Sequence, residues 1–162
     1  MSDTSRTAGL RPIAILLSGL SGLEKAAGFL APPVLRIALA LPFFRSGLTR
    51  WDGFLQLSPS TSFLFSDLFR LHILGGEYPI PAPDQVAFMT SVAEITLPIL
   101  LILGLATRLS ALGLLAMTAV IQLVVPEGWA NFHLYWAAIA VAILAIGPGS
   151  LSLDRLLVSF RG

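Results

Sequence analysis

The sequence contains no cysteine. That excludes structural disulfides, a Cys-x-x-Cys thiol relay, and thiolate ligation of zinc or an iron–sulfur cluster by this chain. Histidine occurs twice, at His72 and His133, too few for an all-protein metal site, so no metal centre is expected. Charge is also scarce: Asp, Glu, Lys and Arg make up 12% of residues, against a soluble average near ~25%. The net charge of +1 offers no basic face for nucleic acid, which is not expected as a partner. A redox role would need a bound cofactor such as a quinone, or a partner carrying the chemistry; the residues do not name the cofactor.

What the chain has in excess is apolar sequence, at 56% hydrophobic residues and a mean hydropathy of +0.85. Together with 162 residues this describes one integral membrane protein. Residues 86–108 (VAFMTSVAEITLPILLILGLATR) dominate it. A hydrocarbon core of ~30 Å needs ~20 mostly apolar helical residues, and residues 86–105 supply them. Within the run lie Glu94 and Pro98. An intramembrane acid costs roughly 2.5–3.5 kcal/mol and by default marks a partnered or functional position. Pro98 removes the backbone hydrogen bond to the carbonyl of Glu94 and predicts a kink.

Three more crossings are expected near residues 34–50, 109–125 and 131–147. The expected architecture is an all-α membrane protein, a four-transmembrane-helix bundle with both termini on one side. Residues 1–31 read as a cytosolic tail plus an interfacial helix at 10–23, whose apolar core also has signal-like features. Residues 32–162 read as the membrane domain. In the long outer loop, the spacing of Phe65, Leu68, Phe69 and Leu71 predicts a short amphipathic helix over 62–74, followed by an extended Gly/Pro-rich stretch. Lys25, Arg6, Arg11, Arg108, Arg155 and Arg161 gather on the side of the termini, which the positive-inside rule places in the cytoplasm of a bacterial inner (plasma) membrane.

A helical rise of ~1.5 Å per residue puts Glu94 roughly 12 Å deep and Arg45 roughly 9 Å deep from the outer side. They are expected to pair, with Gln122, His133 and Trp136 completing an outward-facing polar cluster. The cluster can hold a ligand or pass protons; equally, it can fix helix register, with Gln122 and His133 as interhelical glue and Trp136 as an interface anchor. A second group, Arg36, Arg108 and Asp154, marks the cytosolic edge. There the arginines either snorkel to solvent or clamp the tail through Asp154.

An ordered set of motifs runs through these segments: Arg36…Phe43-Phe44-x-Ser46-Gly47-x-x-Arg50, Ala93-Glu94…Gly104-x-x-Thr107-Arg108, and His133-x-x-Trp136…Gly147-Pro148-Gly149…Asp154. In this it resembles the DoxX family over roughly residues 34–157. Leu57…Phe69 and Glu77-Tyr78-x-x-Pro81 further resemble a subgroup found beside genes for copper-binding, ribosomally made peptides. The family's Gly-x-x-Lys reads Gly47-x-x-Arg50 here. The resemblance implies a four-helix inner-membrane protein, some relatives being linked to quinone-dependent oxidoreductase complexes or oxidative-stress defence. Two readings follow. One is an accessory subunit that supports a protein partner or homo-oligomer and binds a small lipophilic ligand; the other is a quinone-binding oxidoreductase subunit with Glu94, Arg45 and His133 at the headgroup. Whether it is an enzyme is open between them.

Overall fold

The structure is a computed structural model that describes the backbone of residues 4–160 and the side chains of residues 19–160. The chain divides into two compact units, Met1–Ala31 and Pro32–Gly162. Helix α1 runs over Thr4–Leu48. The interfacial reading of residues 10–23 falls mostly on side chains outside the described residues.

Among the described residues, four helical segments are long and apolar enough to cross a membrane: Gly19–Leu48 within α1, α3 (Pro83–Leu103), α4 (Thr107–Val124), and Pro126–Ile146. The expected four-helix membrane architecture is therefore present. The last segment starts with a 3₁₀ turn (Pro126–Gly128) and a π-helical turn (Trp129–His133) before α5 (Leu134–Ile146). A short α6 (Leu153–Ser159) follows, capped by Ser152, whose hydroxyl accepts from the Arg155 amide. Inside unit 32–162, the buried core joins Leu39 and Phe43 of α1 to Leu101 of α3, Leu114 of α4, and Ala140 and Ile143 of α5.

Two close approaches set the register of α1 against α3. At Gly47, a Cβ would lie 2.8 Å from Ile95 Cγ1 and 3.0 Å from the backbone carbon of Glu94. Only a hydrogen fits there, so the two backbones meet at that height. At Gly104, a Cβ would lie 1.8 Å from Arg36 Nη1. Gly104 also ends α3 with φ +69°, a left-handed conformation that favours glycine. Residues 36 to 47 of α1 thus run antiparallel beside residues 104 to 94 of α3. Glu94 lies at the middle of α3, so α1 stops at Leu48 about halfway along its neighbour.

The space beyond the end of α1 is filled by the loop. Hairpin β1–β2 (Trp51–Gly53, Gln56–Leu57) comes first. Helix α2 (Pro59–Phe63), capped by the Ser58 hydroxyl, continues as a π-helical turn, Leu64–Leu68. Hairpin β3–β4 (Arg70–Ile73, Gly76–Pro79) closes the segment. The single amphipathic helix expected over 62–74 is corrected accordingly: the helix begins earlier and ends at Leu68, and residues 70–73 are a strand. Residues 62–69 do hold the apolar spacing, but Leu74-Gly75 forms a two-residue turn that folds 70–73 back on 76–79. The loop core is Phe65, Ile80 and Ala87, with Phe69 and Leu71 against it.

Candidate functional site

Glu94 is buried, at 2% exposure, on the face of α3 that meets α1. Its partner is Arg50: Nε donates to Oε2 at 3.1 Å and Nη2 lies 3.4 Å from Oε1. Ser46 completes the group, its hydroxyl donating to Glu94 Oε1 at 3.2 Å and accepting from Arg50 Nη2 at 3.3 Å. The Arg50 guanidinium also sits over the Phe65 ring, 5.6 Å from its centroid.

Arg45 is not in this group. The Gly47 contact turns the Phe43, Gly47 and Arg50 side of the chain toward α3, and Arg45 lies on an exposed face. A crossing that continued to residue 50 would put Arg45 near the depth of Glu94. Because α1 ends at Leu48 and the backbone turns, Arg50 is at the height of Glu94 instead. The signal was present in the Ser46-Gly47-x-x-Arg50 motif, in which Ser46 and Arg50 are spaced i, i+4.

The pair lies in the wall of a cavity of about 440 Å³, within the range of small-molecule sites. Its helical walls are Pro42 and Phe43 of α1, Val86 and Thr90 of α3, and Val120 and Val124 of α4. The loop roofs it with Phe65, Phe69, Leu71 and Ile80. Trp136 of α5 lines it too, tilted against Phe43 with ring centroids 5.1 Å apart. The expected Trp136 and Glu94 therefore share one site. Its polar groups are Glu94, Arg50, Ser46 and Thr90, and the rest of the lining is almost wholly apolar. Arg50 commits Nε and Nη2 to protein, and its Nη1 has no hydrogen-bond acceptor among the described residues.

Gln122 and His133 pair with each other outside the cavity lining, His133 Nδ1 lying 2.7 Å from Gln122 Oε1. Gln122 Nε2 donates to the Pro126 carbonyl at 3.0 Å, which leaves Oε1 as the acceptor and Nδ1 as the protonated nitrogen. His133 is buried against Gly128, with its ring 5.4 Å from that of Trp136. This pair fixes the connection between α4 and α5 and backs the cavity through Trp136.

In the second expected group, Arg36 and Asp154 each bind backbone groups and make no ion pair with each other among the described residues. Arg36 is buried, its Nη2 donating to the Leu151 carbonyl. Asp154 Oδ1 and Oδ2 accept from the Ala106 and Thr107 amides at 2.7 and 2.8 Å, capping the start of α4. Burial by itself raises the Asp154 carboxyl. The hydrogen bonds from Thr107 and the Ala106 amide, with the Arg36 charge nearby, outweigh that and hold it below its ordinary value. Arg108 is exposed beside Gly147. The solvated reading thus describes Arg108 and not Arg36.

A family model described as DoxX matches residues 31–127. No curated protein matches the chain, and no solved structure does.

Proposed function

The chain belongs to the DoxX family and is an integral membrane protein; from that premise we propose that it is an accessory membrane protein whose cavity holds a small lipophilic molecule by a hydrogen-bond-accepting head. One observation carries the reading: an apolar cavity of about 440 Å³ whose charged groups are confined to one wall, at Arg50 and Glu94. The apolar lining suits a ring or chain partitioned from lipid. Arg50 Nη1 supplies an uncommitted donor for the head. Because Glu94 already neutralises Arg50, the site suits an uncharged acceptor such as a carbonyl better than an anion.

A quinone is the second reading, favoured by the carboxylate beside that donor: a group able to exchange a proton next to a bound carbonyl. In this reading the chain serves an oxidoreductase, with Arg50, not Arg45, as the headgroup donor beside Glu94. In both readings a partner system uses the bound molecule, whether redox or peptide-maturing, and the termini face the cytoplasm of the inner membrane. The basic residues Lys25, Arg108 and Arg155 support that orientation.

The test is thermal unfolding of the purified protein in nanodiscs with decylubiquinone as probe. A ligand at 100 times its Kd adds about 2.7 kcal/mol of stability, so the melting temperature should rise for the wild type and not for Val120→Trp, which fills the cavity. A rise that persists in Val120→Trp, or no rise together with no lipophile in a solvent extract of the protein, sinks the proposal. A retained quinone spectrum lost in Glu94→Ala selects the second reading.

A further inference from the structure

Both hairpins of the loop end in apolar tips that water does not explain. The β1–β2 turn passes through Phe54 and Leu55, and the β3–β4 turn through Leu74 and Gly75. Leu55 (φ 55°) and Leu74 (φ 50°) occupy the left-handed region, where glycine or asparagine is the low-cost choice and leucine carries strain. Phe54 is 92% exposed and Leu74 is fully so. A solvated turn has no use for these side chains at these positions.

Their surroundings supply one. The β1–β2 tip forms a shallow groove with Trp51 and with Val92, Ile95 and Thr96, which are middle turns of the membrane-crossing α3. Hairpin β3–β4 leans on α4: His72 Nδ1 lies 3.1 Å from the Leu123 carbonyl, one residue from the end of that crossing. Leu123 is itself exposed on α4. Each tip is thus continuous with an apolar face of a spanning helix, and those faces meet lipid. The strands behind the tips are polar, with exposed Asp52 and Gln56 on one hairpin and the His72–Glu77 pair, 3.6 Å apart, on the other.

We infer that the two hairpin tips are inserted into the bilayer leaflet on the loop side, placing Phe54, Leu55 and Leu74 against acyl chains and the polar strands at the headgroups. Insertion stops at the turn residues, because free strand edges cannot enter hydrocarbon. The partner is the lipid surface itself, gripped at two points on the α3 and α4 flanks. This seats the roof of the cavity on the membrane rather than above it.

The absence of cysteine makes the test direct. Single variants Phe54→Cys and Leu74→Cys, with Asp67→Cys as an exposed polar control, are nitroxide-labelled and reconstituted in phosphatidylcholine/phosphatidylglycerol vesicles. Power saturation then compares collision with oxygen, which concentrates in lipid, and with a nickel chelate, which stays in water. The oxygen-to-nickel ratio should be severalfold higher at positions 54 and 74 than at 67. Nickel access at 54 or 74 equal to that at 67 overturns the inference. So does low access to both reagents, which is the signature of a tip covered by a second copy or another protein.

Discussion

Removing either member of the Arg50–Glu94 pair leaves the other without its counter-ion in a mostly apolar wall. Breaking a buried pair from one side costs several kcal/mol, whereas replacing both partners with apolar groups can be nearly neutral. Arg50→Leu and Glu94→Leu should each lose about 2–4 kcal/mol, the lower end reflecting the partial exposure of Arg50. The double variant should lose clearly less than the sum. Arg45→Leu, on an exposed face, should stay within about 0.5 kcal/mol. Denaturant titration in mixed micelles measures all four; additive losses would refute the pairing. That Glu94 needs a basic partner from the first crossing was legible from its position in an apolar run. Which arginine it takes was not, because that depends on where α1 stops and on the face Gly47 presents, and neither is set by hydropathy.

At the scale of elements, the α1–α3 contact rests on the absence of a side chain at Gly47. The atom a Cβ would meet at 3.0 Å is backbone, which cannot rotate away. Gly47→Ala should therefore cost about 1–3 kcal/mol through overpacking, and it should also loosen the Arg50–Glu94 geometry one turn on. A melting temperature equal to wild type would show that the helices are not held this close. Crossing helices announce themselves in sequence because each needs a long apolar run. The loop did not, because its elements are two to five residues each and their period changes within a few positions. Phe65 and Phe69 read as a helical pair; Phe65 is in the π-helical turn, whereas Phe69 is where the chain leaves it for a strand.

For the molecule as a whole, Asp154 fastens the segment after α5 to the turn between α3 and α4. Its depressed pKa means the carboxylate adds stability that is fully present above the ordinary carboxylate pKa near ~4. That contribution is lost as pH falls through the lower folded value. Asp154→Asn should be less stable than wild type by about 1 kcal/mol at pH 7, and the gap should close on acidification below about pH 4. A gap that is constant from pH 7 to pH 3 would place the contribution elsewhere.

The early end of α1 has an electrical consequence. Arg50 and Glu94 meet at the middle of a crossing helix, so as a closed pair they carry no net charge through the transmembrane field. Swinging Arg50 out to the loop-side surface would move one positive charge through the part of that field between the pair and the loop side. At roughly 2.3 kcal/mol per charge per 100 mV for the whole field, a membrane potential would bias that motion by a fraction of that value. The closed pair itself is silent to voltage, and only its opening is not.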